Sequence, residues 1–242
     1  MAGVKLVSMM VAALSIGSAH LASAADLPLK APPLSVFSWT GFYVGGTFGG
    51  DSGTATATDI LATNGLAWVR NGAQWSAKIR SFTASAEAGY NWQVGNIVFG
   101  VEGDVGYLGQ TGSSQYPLLT TTTLNTHGNL FSTARGRFGF AFDRVLVYGT
   151  GGWFGADFDS TVNQSIGVVI HTSSTGFQSG WTAGGGLEWA FARNWSLKGE
   201  FLHYDVGTKK VGGTFTGGGA AIQFFNIKDT GDIARAGINY HF

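Results

Sequence analysis

Apolar and polar side chains alternate along the last ten residues of the chain. One set of alternate positions holds Ala234, Ala236, Ile238, Tyr240 and Phe242, and the other holds Arg235, Gly237, Asn239 and His241. Because successive side chains of a β-strand point to opposite faces, this pattern predicts one face toward lipid and one toward a lumen. A soluble strand can alternate in the same way, so the rest of the chain has to distinguish the two.

Eight segments with this period of two follow one another from Trp39 to the end of the chain. Each is about as long as a tilted membrane strand, roughly 9 to 11 residues. Bacterial single-chain barrels have an even number of strands. We therefore predict an all-β fold, an eight-stranded antiparallel up-and-down transmembrane β-barrel over residues 39–242. The predicted strands are, within about three residues at each end, 39–49, 81–92, 97–107, 130–142, 145–156, 179–191, 195–206 and 232–242.

The connections between these segments are alternately long and short. Short connections rich in turn residues occur at Gln93–Asn96, Asp143–Arg144 and Ala192–Asn194, and long ones rich in Gly, Thr, Ser and Asn lie near 50–80, 108–129, 157–178 and 207–231. Short periplasmic turns and long external loops produce this rhythm in outer-membrane barrels. The order of the connections also places both termini on the periplasmic side.

Aromatic residues gather at the ends of the predicted strands. A soluble core would not sort its aromatic residues by strand end, whereas the interfaces of a membrane barrel do. We predict a periplasmic aromatic girdle that includes Trp39, Tyr90, Trp92, Phe140, Phe142, Trp189 and Trp195. A looser outer set is predicted at Phe48, Phe82, Tyr107, Phe154, Trp181 and Tyr204.

The amino-terminal segment has the features of a secretory signal peptide. Residues 1–24 contain one charged side chain, Lys5, an apolar stretch from Leu6 to Ile16, and the small-residue cleavage pattern Ala22-Ser23-Ala24. The apolar stretch is too short for a spanning helix, which needs roughly 20 residues. Residues 25–38 hold three of the four prolines and are predicted to be an extended periplasmic leader.

Charge is sparse and balanced. Charged residues make up 12% of the chain, glycine supplies 39 of 242 residues, and aromatic residues supply 14%. Without residues 1–24 the chain has 13 Lys and Arg against 14 Asp and Glu. This balance offers no electrostatic surface for nucleic acid, and the absence of cysteine excludes disulfides and thiolate metal sites.

The face opposite the apolar one carries four acids and four bases in strands that are otherwise poor in charge. They are Glu87, Glu102, Arg135, Arg137, Glu188, Lys198, Glu200 and Arg235. An eight-stranded barrel is just wide enough for side chains to fill it, and an unpaired buried charge costs several kcal/mol. We predict a lumenal ion-pair network that plugs the barrel. A narrow or gated conduction path is the alternative, and the ion-pair partners depend on the barrel shear, which the sequence does not reveal.

No catalytic, cofactor or metal site is predicted. The five histidines have no metal-ligand spacing with one another. His203 resembles the histidine of small lipid-modifying barrel hydrolases, but no serine follows it at the second position, so an interface residue is the favoured interpretation. The lumenal carboxylates are matched by bases, which favours ion pairs over a general acid and base pair.

Several segments resemble small outer-membrane porin-like immunogenic proteins of α-proteobacteria. The resemblance covers nearly the whole chain in order, apart from the four long loops. It rests on segments that include Trp39–Gly46, Gly89–Trp92, Gly100–Asp104, Arg135–Gly139, Tyr148–Gly152, Gly180–Glu188 and Ala236–Phe242. Members of this family are eight-stranded barrels of the type found in the OmpA transmembrane domain, so the resemblance implies this fold and a location in the outer membrane.

The resemblance leaves activity open, since barrels of this size serve as structural proteins, adhesins, channels or enzymes. Our leading interpretation is a non-enzymatic outer-membrane protein that supports the envelope and displays surface loops. The alternatives are a small porin for ions or polar solutes, a lipid-modifying enzyme, and a secreted soluble barrel. Expected partners are outer-membrane lipids and the outer-membrane insertion machinery, for which the resemblance implies an insertion signal at Ile238, Tyr240 and Phe242. Ligands of the loops and the oligomeric state stay open.

Overall fold

A computed structural model describes residues 37–62, 72–116, 119–165, 169–174, 176–216 and 222–242. The predicted signal peptide, 1–24, and all but the last two residues of the predicted leader, 25–38, lie outside these ranges. The described residues form antiparallel strands. The strands are β1 (Gly41–Ala62), β2 (Gln74–Val94), β3 (Ile97–Tyr116), β4 (Leu119–Phe142), β5 (Val145–Ser165), β6 (Val169–Ser174), β7 (Phe177–Ala190), β8 (Trp195–Thr216) and β9 (Ile222–His241).

The strands close into a barrel because the first and last ones pair with each other. β1 lies between β2 and β9, and the ladder continues through β3, β4 and β5 on one side and β8 on the other. β7 completes the ring between β5 and β8. β6 pairs with the outer ends of the same two strands, so β6 and β7 continue one another. We call each position in the ring a stave, and β6 and β7 together form one of them. The described strands thus form eight staves, which confirms the predicted fold class.

The turns predicted to be periplasmic are short, because residues at their tips accept a left-handed backbone. Gly95, between β2 and β3, has φ of 62°, and Asp143, between β4 and β5, has φ of 53°. Glycine adopts such angles without steric cost, and aspartate tolerates them better than most residues. Both turns lie where the sequence predicts short connections.

The strands are much longer than predicted, and the excess lies at the outer end. Most of the described residues in the four predicted long loops belong to strands, for example 50–62 in β1 and 207–216 in β8. The loop prediction was wrong there because the polarity of the two faces inverts beyond the membrane. In β1, Ala55 and Ala57 are fully buried, while Thr54 and Thr56 lie on the outer face. Outside lipid, a strand buries its apolar side like any soluble strand.

Three buried apolar clusters fill the barrel together with its charges. The first contains Phe37, Trp39, Val98, Ala141, Leu146, Tyr148 and Ala190. The second contains Leu108, Phe131, Phe154, Ala156, Phe158, Leu202, Tyr204, Val206 and Ile233. The third contains Ala55, Ala57, Trp75, Ala77, Ile79, Leu124 and Phe225. The first includes residues at the periplasmic strand ends, and the third lies in the outer extension of the strands, so apolar packing occurs at both ends of the lumen.

Glycine allows neighbouring strands to pack closely around this narrow lumen. At Gly184 of β7, a Cβ atom would lie 2.0 Å from the carbonyl oxygen of Phe201 on β8. At Gly199, whose position faces outward, a Cβ atom would meet nothing within 4 Å. The high glycine content therefore has a structural cause at inward positions such as Gly184.

The part of the chain that the structure describes contains no helix that is long and apolar enough to span a membrane.

Candidate functional site

All eight predicted lumenal charges lie inside the barrel, with between 0% and 5% of their surface exposed. They occupy alternate positions of strands whose other alternate positions face outward, such as Arg135 and Arg137 on either side of the exposed Gly136. A ninth charged residue, Asp104, joins them. Sequence reasoning missed Asp104, although it lies two residues beyond Glu102 and therefore on the same face of β3.

Arg135 connects acids from two different parts of the barrel. Its Nη2 atom binds Glu102 on the neighbouring strand and lies 2.8 Å from Asp104 Oδ2, and its Nη1 atom lies 3.1 Å from Glu200 Oε1 on β8. Its Nε atom donates to Thr133 Oγ1. The planar guanidinium therefore uses each of its nitrogen atoms, which suits arginine to a crowded, water-poor site.

Arg235 on β9 forms a second junction with two of the same acids. Its Nη2 atom lies 2.6 Å from Glu200 Oε2 and 2.8 Å from Asp104 Oδ2. The Nη1 atom donates to Ser85 Oγ at 3.1 Å. Two arginines thus share Asp104 and Glu200, so that their positive charges are both neutralised.

Lys198 reaches across the lumen. In the ladder between β7 and β8 it is paired with Glu188, yet its Nζ atom lies 2.7 Å from Glu87 Oε2 and 3.1 Å from Glu102 Oε2. Glu188 instead accepts from Arg137 Nη2, Ser196 Oγ and Asn239 Nδ2. The sequence could not show these partners because they lie across the lumen and depend on the barrel's shear.

Two tyrosines extend the network to the strands that contribute no charge. Tyr43 of β1 donates to Glu102 Oε2 at 2.6 Å and accepts from Arg137 Nη1 at 2.7 Å. Tyr148 of β5 donates to Glu200 Oε1 at 2.9 Å, and the Arg137 guanidinium carbon lies 4.1 Å from its ring centroid. We call these two tyrosines and the nine charged residues the lumenal network. Each of the eight staves contributes at least one member.

The acids of the network do not form an open metal site. Glu87, Glu102 and Asp104 can each bring one carboxylate oxygen within 4.8 Å of the others. Each of them, however, already binds a base, namely Lys198, Arg135 or Arg235. A cation would have to displace or face these positive charges, so the arrangement is suited to ion pairing.

Most of the predicted periplasmic girdle lies on the outer face of the barrel. Trp92, Phe140, Phe142, Trp189 and Trp195 are between 42% and 63% exposed, and Tyr90 is half-buried. The girdle prediction is wrong for Trp39. This residue, just before β1, is fully buried and donates through Nε1 to the carbonyl oxygen of Asp143. It packs edge to face on Phe37, so it closes the lumen rather than facing lipid.

The prediction of an outer aromatic set is right for four residues and wrong for two. Phe48, Phe82, Tyr107 and Trp181 face outward, between 44% and 65% exposed. Phe154 and Tyr204 do not, because they are stacked inside the lumen with ring centroids 4.5 Å apart. These two belong to the second apolar cluster inside the barrel, and the Tyr204 hydroxyl donates to Asp51 Oδ1 at 3.1 Å.

The carboxy-terminal strand has the facial pattern that its sequence predicts. Arg235, Asn239 and His241 are buried, whereas Ile238 and Phe242 are exposed on the outer face and Tyr240 is half-exposed. Tyr240 and Phe242 are in ring contact, with centroids 5.1 Å apart.

Two histidines lie beside a carboxylate, as a nucleophilic site would require. His203 lies on the outer face with its Nδ1 atom 2.8 Å from Asp232. His241 Nε2 lies 2.9 Å from Ser196 Oγ and 3.4 Å from Glu188 Oε1. A serine hydrolase needs the serine on one ring nitrogen and the acid on the other. Here one nitrogen makes both contacts and the serine is fully buried, so the group lacks that geometry.

A closed antiparallel barrel with apolar side chains outside and charges inside defines a β-barrel membrane protein. Residues 9–242 match the family model described as outer membrane protein beta-barrel domain, so the chain belongs to this family of outer-membrane proteins.

Named relatives agree with this assignment. The chain is 31% identical to a 31 kDa outer-membrane immunogenic protein of Brucella melitensis, over 97% of this chain and 99% of that protein. It is 30% identical to a 22 kDa outer membrane protein of Rhizobium leguminosarum, over 74% and 70% of the two chains. The crystal structure of the outer membrane protein OprG from Pseudomonas aeruginosa superposes with a TM-score of 0.53 at 12% identity, covering 84% and 97%. The family and the outer-membrane location predicted from sequence are therefore confirmed.

Proposed function

We propose that the protein is a non-enzymatic structural component of the outer membrane whose barrel is sealed from within. The observation that carries this proposal is that every stave contributes a side chain to the lumenal network. Because the members bind across the lumen, the network braces the barrel in cross-section. Apolar layers at both ends of the lumen give further support.

The second function, a small porin, requires a continuous wet path. For conduction, the ion pairs of the lumenal network would have to separate. Each separated pair would leave two unpaired charges in the narrow lumen, which is unfavourable in free energy. Liposome swelling with small sugars or amino acids separates the two functions. Folded protein in the vesicles should give no swelling above empty vesicles, and uptake of the solutes would favour the porin.

The envelope role has a test in cells. A strain that lacks the protein should become more sensitive to detergent and should leak periplasmic enzymes, and the wild-type gene should reverse both effects. Complementation with the Lys198→Met variant should reverse both effects less well than the wild-type gene, because this variant lacks the ion pair with Glu87 across the lumen. Unchanged sensitivity in the deletion strain would contradict a structural role.

Recognition by the insertion machinery is a further part of the proposal. Phe242 is 71% exposed and lies beside Phe42 and Tyr240, at the end of the barrel where β1 begins and β9 ends. Deletion of Phe242 should leave secreted protein in the periplasm, while Phe191→Ala, which removes another exposed aromatic ring at a periplasmic turn, should not. Normal surface levels of the shortened chain would contradict this part.

A further inference from the structure

Two exposed, positively charged side chains lie on the outer face of β2, just beyond the outer aromatic residues. Arg80 and Lys78 follow Phe82 at the second and fourth positions toward the outside, and both are exposed. Being two residues apart on one strand, they share a face and lie about 7 Å apart. Within the described part of the chain neither side chain takes part in an ion pair or a side-chain hydrogen bond.

Hydroxyl groups adjoin these cations on the next stave. In the ladder between β1 and β2, Ser52 is paired with Arg80, and Thr54 with Lys78. Both hydroxyl side chains lie on the outer face. They offer neutral donors and acceptors beside the positive charges, a combination that fits a ligand with both phosphate and sugar groups.

Other charged side chains of the outer face lie on other strands. Lys228 Nζ lies 3.0 Å from Asp205 Oδ2, and His203 is bound to Asp232. On the far side of the barrel, the outward positions of β5 carry Asp157 and Asp159. Lys210 on β8 is also exposed, and its Nζ atom lies 4.4 Å from the Phe224 ring centroid. Lys78 and Arg80 are thus two adjacent outward cations on one strand, and within the described residues no acid pairs with either of them.

An aromatic row separates the cations from the lipid-facing surface below them. Phe82 lies between Phe48 and Tyr107, with ring centroids 6.4 and 5.7 Å away. Aromatic rings of this kind mark the boundary between hydrocarbon and headgroups. Lys78 and Arg80 therefore lie at the depth of the headgroups of the outer leaflet.

Below this row, β2, β3 and β4 form a lipid-facing groove. It consists of two hollows of about 500 and 360 Å³ that share Ala88 and Gly103 in their lining. Ala134 and Gly136 widen the first hollow, and Val105 borders the second. The small side chains at mid-depth leave room against the barrel that bulky residues would fill.

We propose that this face of β2 binds a phosphorylated, multiply acylated glycolipid of the lipid A type from the outer leaflet. Lys78 and Arg80 hold a phosphate group, Ser52 and Thr54 contact the sugar, and one acyl chain lies in the groove. Arginine suits phosphate because its planar fork forms paired hydrogen bonds. The partial exclusion of water at the headgroup level strengthens the attraction relative to bulk water.

Native mass spectrometry of the refolded protein with bisphosphorylated lipid A tests the proposal. The double variant Lys78→Gln with Arg80→Gln should bind the lipid at least tenfold more weakly than wild type. A matched control is Arg144→Gln with Arg193→Gln, which removes the same charge from exposed periplasmic turns and should bind like wild type. Equal binding by the two double variants would overturn the proposal.

Changes in the lipid and in the groove test its two other elements. Dephosphorylated lipid A and phosphatidylglycerol should both bind more weakly than bisphosphorylated lipid A. Ala88→Phe, which fills the groove, should weaken binding, whereas Ala183→Phe on the lipid-facing surface of β7 should not. Binding of dephosphorylated lipid A as tight as that of bisphosphorylated lipid A would refute the phosphate contact. Equally tight binding of phosphatidylglycerol would refute the preference for a glycolipid. Equal binding by the two phenylalanine variants would refute the role of the groove.

Discussion

Lys198 on β8 donates to Glu87 on β2 at 2.7 Å, although two other staves, β9 and β1, lie between these strands in the ring. Both side chains are completely buried. The pair is thus a brace across the lumen that no ladder hydrogen bond could provide.

Removal of this brace should destabilise the barrel. Lys198→Met leaves Glu87 and Glu102 without one of their bases, and loss of one partner of a buried ion pair costs about 3–5 kcal/mol. Urea unfolding of the protein in lipid vesicles, followed by tryptophan fluorescence, measures the loss. Lys228→Met is the matched control, because Lys228 is half-exposed in its pair with Asp205 and should cost at most about 1 kcal/mol.

Partial rescue provides a second test of the brace. Adding Glu87→Gln to Lys198→Met removes the carboxylate that the first change left unpaired, so the double variant should recover part of the lost stability. Equal stability of the Lys198 and Lys228 variants, or additive losses in the double variant, would contradict the brace.

The close approach of β7 and β8 makes a prediction for glycine. Gly184→Ala places a methyl group against the backbone of Phe201 and should cost about 1–3 kcal/mol through forced displacement of the strands. Gly199→Ala adds the same methyl group in open space on β8. Its unfolding midpoint should equal that of wild type, and a similar loss in both variants would refute the steric explanation.

The outer extension should depend on pH through Asp51. This residue lies beyond Phe48, outside the membrane band. Burial raises the pKa of its carboxyl to about 6, although hydrogen bonds from Gln110, Tyr204 and Ser81 act to lower that pKa. The folded state binds the proton more tightly than the unfolded chain, so the stabilisation is complete below the ordinary pKa of aspartate and disappears as pH rises through 6.

The comparison with Asp51→Asn isolates this contribution. Wild type should lose stability relative to the variant between pH 4 and pH 7, by on the order of 2 kcal/mol. Urea midpoints measured at steps across that range give the difference directly. A difference that is constant with pH, or that grows in the opposite direction, would refute the assignment to Asp51.

The outward face of β4 should tolerate charge poorly. Phe138 and Phe140 are 56% and 49% exposed on the lipid-facing side. Phe138→Lys should reduce insertion by less than the roughly 2–4 kcal/mol that a lysine costs at the midplane, because Phe138 lies one outward position from Phe140 of the girdle. Thr56→Lys, on the polar exterior of β1 beyond the girdle, should insert normally. Phe138→Lys with Phe140→Lys that folds in buffer without detergent would refute the membrane assignment of this face.

The sequence predicted the membrane part of the fold because alternation assigns each side chain to a face. Arg135, Arg137 and Glu102 all belong to the lumen on that basis alone, and Asp104 would have followed from the same rule. Which charges bind each other did not follow, because Lys198 and Glu87 meet only when the barrel closes with a particular shear.

The outer end of the barrel was predicted less well for a different reason. Thr54 and Thr56 resemble loop residues when a strand is recognised by its lipid-facing side chains, since above the membrane the apolar side turns inward to Ala55 and Ala57. Trp39 was misassigned because its sequence position suits a girdle, whereas its side chain turns under the lumen to Asp143.

The measurement that tests the sealed lumen most directly is single-channel recording in a planar bilayer. A refolded chain of residues 25–242, without the predicted signal peptide, should first show a heat-modifiable barrel on a gel. The lumenal network predicts that such protein gives no stable conductance steps. Discrete steps that change in size with substitutions at Glu102 or Arg135 would contradict the sealed barrel and establish a small porin.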